Sequence, residues 1–238
     1  MELERALQTT GAVRDFAGTP VPDEVLYRVL DTARFAPSGG NRQAWRLVVA
    51  RDPALRRRLR DLYLDAWYQY LAMGQAGLVA WAPVTDREAE ARAIESTGTI
   101  RSAAFRHQGF AERLDEVPVL LVLLADLRGL AAVDRDFDRY TMVGGASIYP
   151  FAWSILLAAH GAGLGGVFTT MLVRSEPEVL TLLEVPDGWV VAGALALGYP
   201  AGGRRPTKLR RGRVESFTTV DRFGGAPLAA GAQPARDS

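Results

Sequence analysis

Cysteine is absent from the 238 residues, so no disulfide framework, thiolate nucleophile or thiolate metal site is available. Lysine occurs once, at Lys208, and asparagine once, at Asn41. Neither sign of charge dominates, with 28 basic residues against 27 acidic ones. That balance gives no global field for nucleic acid or an anionic membrane, which leaves small molecules or another protein as expected partners. No apolar run approaches the roughly 20 residues that span a bilayer. The charged start Glu2-Leu3-Glu4-Arg5 leads into no apolar signal core, from which a soluble cytoplasmic protein is expected. The two histidines, His107 and His160, share no metal spacing, and no G-x-S-x-G elbow or P-loop is present, so no metal site is expected.

What is present is an apolar content of 48%, enough for one sizeable core. A single domain over residues 1–224 is expected, with an excursion at about 74–115 and a loose Ala-, Gly- and Pro-rich tail over 225–238. Helical spacing marks residues 2–9 and 22–36, and Asp52-Pro53 opens an Arg-rich helix that continues to about Tyr70. The excursion, lid-like in character, carries Trp81, a charged stretch from Asp86 to Glu95 and an expected helix near 99–113. Arg46–Ala50 reads as a strand, and the run Val117–Leu124 reads as one buried on both faces at the sheet centre. Ile148–His160 is apolar almost all round and reads as a buried helix. A strand at 167–171, a helix near 176–183 and a last strand at 190–197 follow.

The segment Ala36-Pro37-Ser38-Gly39-Gly40-Asn41-Arg42-Gln43-Ala44-Trp45 sets two glycines among the donors and acceptors of Ser38, Asn41 and Gln43, beside the aromatic face of Trp45. That mixture suits a flat, polar-edged ligand. The run Gly161-Ala162-Gly163-Leu164-Gly165-Gly166 spells G-x-G-x-x-G, but it follows a helix and opens a strand, the reverse of a dinucleotide fingerprint. A left-handed helix cap at Gly161 or Gly163 is expected instead. Near the C-terminal end, Pro206-Thr207-Lys208-Leu209-Arg210-Arg211 gathers cations suited to a phosphate, although a basic run in a late loop is often simply solvated.

Three segments in order, Thr10–Phe16, Pro37–Trp45 and Pro206–Arg211, together with the strand near Thr169, resemble the nitroreductase family. The central loop is similar to the family pattern A-P-S-x-x-N-x-Q-P-W, with Ala44 in place of proline. The first segment resembles R-R-S-V-R-x-F, and it departs from it at Thr10, Gly11 and Ala12 while keeping Arg14 and Phe16. The resemblance implies an α+β fold, a central, mostly antiparallel sheet packed between helices, in a homodimer with FMN at the subunit interface. It implies that Arg14 lies near the ribityl chain and pyrimidine edge and that Thr10, Gly11 and Ala12 lie toward the phosphate. Pro37, Ser38, Gly39, Asn41 and Gln43 would reach the flavin of the other subunit, with the Ile148–His160 helix near the partner. Thr169, Thr170, Met171 and Leu172 would lie beside the ring, and Lys208 with Arg210 or Arg211 would close on the phosphate. On propensity alone, residues 169–172 are equally an ordinary buried strand. The implied activity is ping-pong hydride transfer from NAD(P)H to a nitroaromatic, quinone or similar small acceptor, with the chemistry on FMN and no catalytic side chain. An O2-using oxidase of the same fold, flavin-modifying or biosynthetic, and a non-catalytic flavin-binding protein are the alternatives.

Overall fold

A strand apolar at nearly every position must be covered on both faces, and β2 (Val119–Asp126) is such a strand. In the computed structural model, which describes residues 2–104, 109–202 and 209–229, β2 lies between β1 (Trp45–Ala50) and β4 (Trp189–Gly198). β3 (Gly165–Thr169) lies beyond β4, and all three pairings are antiparallel. The residues of β2 divide by alternation. Val119, Leu121, Leu123 and Ala125 face a core shared with α2 (Asp23–Ala33) and α6 (Tyr149–Gly161). Leu120, Val122 and Leu124 face a second core shared with α3 (Pro53–Gln75) and α7 (Glu176–Leu182). Burying one such leucine contributes about 1.5–3 kcal/mol, so this double cover concentrates stability in the middle of the sheet. The fold is α+β, with an antiparallel sheet between two helical layers.

The chain divides into two compact units, Met1–Arg205 and Pro206–Ser238. The sheet and its helices belong to the first. In the second, the described residues 209–229 contain a tight turn at Val214–Ser216 and a bridge between Thr219 and Pro227. The expected boundary at residue 224 falls inside this unit, and most of the expected tail lies outside the described residues.

Two expected elements shift. α3 runs past Tyr70 to Gln75, because Ala72 and Met73 still bury their side chains. In the excursion, α4 (Arg87–Glu95) is capped by the Asp86 carboxylate, which accepts from the N–H groups of Glu88 and Ala89 at 3.0 Å each. α5 (Thr97–Ala104) follows, and Gly109–Arg113 is not helical, so the helix expected over 99–113 begins earlier. Its positions 105–108, His107 included, lie outside the described residues. Among the described residues no helix is long and apolar enough to cross a membrane.

The glycine run behaves as its reversed context predicts. Gly163, at φ +84°, terminates α6 in the left-handed region. Gly165 opens β3, two residues before the expected start of that strand, and a Cβ there would come within 2.6 Å of the Val13 side chain. This glycine admits a neighbouring segment, not a pyrophosphate.

Candidate functional site

That neighbouring segment is residues 10–17, which leave α1 (Leu3–Thr9) and run along the ends of β3 and β4. Ala12 bridges Gly166, and the Val13 N–H donates to the Gly166 carbonyl at 2.9 Å. Phe16 bridges Pro200, the Ala17 N–H donates to Tyr199 at 2.7 Å, and the Asp15 carbonyl accepts from Ala201 at 3.1 Å. Backbone bonds to the sheet thus set the direction of every side chain. Val13 is turned inward against Gly165, while Arg14 is exposed.

Arg14 lines a cavity of about 280 Å³ with Phe16, Phe110, Arg113, Glu116 and Pro118. Among the described residues no carboxylate forms an ion pair with Arg14. Its charge reaches the phenol of Tyr63, a residue 1% exposed in the middle of α3. The Tyr63 hydroxyl lies 3.2 Å from Thr169 Oγ1 at the end of β3. Burial pushes the Tyr63 phenol above its ordinary value, against the opposing effect of the Arg14 charge. The sequence offered one signal for Tyr63: it shares a face of α3 with Leu59 and Ala66, and a tyrosine at a core position needs a partner for its hydroxyl.

The other expected residues of this region take distinct roles. Thr10 is buried and its hydroxyl donates to the Ala6 carbonyl at 2.7 Å, closing the end of α1. Gly11 is half-buried and Ala12 exposed. Thr169 and Met171 are half-buried and Thr170 is exposed. Strand β3 ends at Thr169, so Met171 and Leu172 open a turn over Met171–Ser175 and do not extend the strand. Leu172 is fully buried in the core beneath the sheet, which leaves only its backbone to meet a ligand.

The loop from Pro37 to Gln43 is held by side chains. Ser38 Oγ accepts from the Gln43 N–H at 3.0 Å, and Gln43 Nε2 donates to Asn41 Oδ1 at 3.2 Å. The Gly39 N–H donates to Ser147 Oγ at 3.0 Å. Asn41 and Gln43 stand at φ 53° and 50°, a left-handed conformation that costs a residue with a side chain about 1–2 kcal/mol. Pro37, Gly39, Asn41 and Gln43 are exposed. One face of the Trp45 ring stacks on Phe151 of α6 at 4.5 Å, and the half-buried side chain packs against the core. Ala44 is buried, and its methyl occupies the space a side chain at Gly129 would need.

Ser147 in turn depends on Asp134. This buried carboxylate accepts from the Met142 N–H at 2.8 Å, from Arg139 Nη1 at 2.7 Å and from the Val143 N–H at 3.4 Å, anchoring the Val143–Ser147 turn. Those donors hold its pKa down at about 2. Neither Asp134 nor Ser147 was visible as a site residue in the sequence.

Around these groups, Trp67 stacks between Tyr63 and Tyr70, at centroid distances of 6.1 and 5.4 Å. Tyr68 is buried and donates to Glu112 Oε1 at 3.0 Å. Trp81 lies beneath the Arg174 guanidinium at 5.0 Å, and His160 Nε2 is 2.9 Å from Thr9 Oγ1. Among the described residues no group of acids or histidines could hold a metal. In the second unit Arg210 and Arg211 are exposed, and Arg211 donates to the Arg210 carbonyl. Lys208 lies outside the described residues.

The nitroreductase family model matches residues 9–199. The chain is 29% identical over 217 residues to iodotyrosine deiodinase 1 of Rattus norvegicus, covering 91% of this chain and 68% of that one. It is 30% identical over 197 residues to an NADH dehydrogenase of Thermus thermophilus, covering 80% and 82%. Its fold is that of an oxidized iodotyrosine deiodinase bound to FMN and 3-iodo-L-tyrosine, with a TM-score of 0.61 at 21% identity over 91% of this chain and all of that one. The chain belongs to the nitroreductase family of flavoprotein oxidoreductases.

Proposed function

We propose that the protein is an FMN-dependent oxidoreductase that works as a homodimer, taking hydride from NAD(P)H and reducing a small oxidised aromatic such as a nitroaromatic or quinone. The observation that carries this reading is the Tyr63–Thr169 hydroxyl pair at the end of β3, with Arg14, which among the described residues forms no ion pair with a carboxylate, on the segment bonded to that strand. The donor set fits the ring of FMN. Arg14 offers positive charge to its pyrimidine edge, and the backbone and hydroxyl of Thr169 and Thr170 offer donors. Thr10 presents only a spare oxygen lone pair, so on this segment the phosphate would fall to the Gly11 backbone. Hydride uptake from NAD(P)H and electron delivery to the acceptor, in a ping-pong cycle, are what the cofactor supplies when bound. The side chains need only bind, orient and polarise.

Two features favour the dimer. Among the described residues the Pro37–Gln43 loop makes no hydrogen bond to residues 10–16 of its own chain, and Ser147 is the side chain outside the loop that ties it, so its exposed amides are available to a second chain. Phe35, Tyr149 and Trp153 also leave aromatic surface exposed around α2 and α6. The similarity to iodotyrosine deiodinase supports a second reading of the acceptor as a halogenated phenol. The test is reconstitution with FMN and anaerobic mixing with NADH or NADPH, followed by a screen of nitroaromatics, quinones and iodophenols. A yellow protein bleached by the nucleotide and restored by one acceptor class is expected. A colourless protein that takes up no FMN contradicts the reading, and one that holds FMN without reduction favours the binding-protein alternative. Restoration by O2 alone, with a single product, favours the oxidase.

A further inference from the structure

We propose that Tyr63 is a positioning residue: its phenol donates to Thr169 Oγ1 and thereby frees the Thr169 hydroxyl proton to donate to the flavin edge. This rests on the reading of the site as a flavin site. A hydroxyl carries one proton and two lone pairs, and only one of two hydroxyls 3.2 Å apart can donate across the gap. A phenol is the stronger donor, and the Tyr63 hydroxyl is enclosed in the core with Thr169 as its partner. The proton therefore runs from Tyr63 to Thr169. Among the described residues no acceptor takes up the proton of Thr169, which sits half-buried where β3 ends. Were the bond reversed, Thr169 could only accept, and the site would offer a lone pair to a ring edge that needs a donor.

Three features keep this direction fixed. Burial, the first cause of the raised Tyr63 pKa, keeps the phenol protonated well past neutrality. The ring is stacked against Trp67, which is itself stacked on Tyr70, so the hydroxyl has little freedom to turn away. Thr169 pairs with Ala194 in the β3–β4 ladder, which fixes the other end. Tyr63 thus touches no ligand and acts through Thr169.

The test compares wild type with Tyr63→Phe, Thr169→Val, Thr169→Ser and the double variant Tyr63→Phe/Thr169→Val, each loaded with FMN. Tyr63→Phe keeps the ring and its stacking. It should retain FMN within about threefold, while flavin reduction slows roughly five- to tenfold, the value of one hydrogen bond, and the visible flavin band and midpoint potential shift. Thr169→Val should show the same losses, Thr169→Ser should restore them, and the double variant should be no worse than Thr169→Val alone. Wild-type spectrum, potential and rate in Tyr63→Phe, or losses that add in the double variant, would overturn the assignment while leaving the flavin reading intact. Failure of every form to take up FMN would overturn the flavin reading first, and this assignment with it.

Discussion

Two polar segments of this chain are read as gripping the same kind of ligand, and they are built in opposite ways. Residues 10–17 are bolted to β3 and to residues 199–201 just past β4 through main-chain bonds, which any sequence of suitable size could make. The Pro37–Gln43 loop holds left-handed residues in place through side chains, in a relay from Asp134 to the Val143–Ser147 turn to Gly39. The first segment inherits the rigidity of the sheet, so a change in it should act locally. The second depends on polar side chains far along the chain, so it can be loosened from a distance.

The largest effect should come from prying the first segment off the sheet. Gly165→Val would drive a side chain into Val13, costing about 1–3 kcal/mol in chemical denaturation and abolishing FMN uptake. Arg14→Ala, by contrast, should leave the unfolding midpoint nearly unchanged and raise the FMN dissociation constant by about tenfold or more, read by fluorescence titration. On the loop side, Ser147→Ala removes the bond to Gly39 and should cost about 0.5–1.5 kcal/mol, with faster amide exchange at residues 39–43 and FMN affinity falling only a few fold.

The smallest effect concerns acidity. Folding lowers the Asp134 pKa below the usual aspartate value of about 3.9, so its contribution is complete above that value. It is lost only as pH falls through about 2. The Met142 and Val143 amides should therefore stay protected down to pH 3 in hydrogen exchange, whereas Asp134→Asn should expose them at every pH.

The strands were legible because each carries its own signature: the unbroken apolar run of β2 needs no tertiary information to be recognised. So was the glycine run, whose order relative to helix and strand excluded a dinucleotide loop. The start of β3 was not, because glycines weaken a strand on propensity, and it takes the approach of Val13 to Gly165 and of Leu197 and the Ala196 carbonyl to Gly166 to explain them. The candidate site was proposed from the sequence where the family pattern is local, at Arg14 and at Ser38 to Gln43. It was illegible where it rests on pairing across the sequence. Tyr63 meets Thr169 across 106 positions and Gly39 meets Ser147 across 108, separations that no periodicity encodes. The stacking of Trp45 on Phe151 was illegible for the same reason, since the two rings meet only in the folded chain.

The central claim is that each site is assembled from both chains, Arg14 from one and the Asn41 loop from the other. Mixed dimers of an Arg14→Ala chain with an Asn41→Ala chain test it most directly, because one of their two sites would then carry both defects and the other neither. FMN bound at close to one per mixed dimer, at wild-type affinity, is the predicted result. Two equally weakened sites per mixed dimer, or a protein that remains monomeric when loaded with FMN, would contradict it.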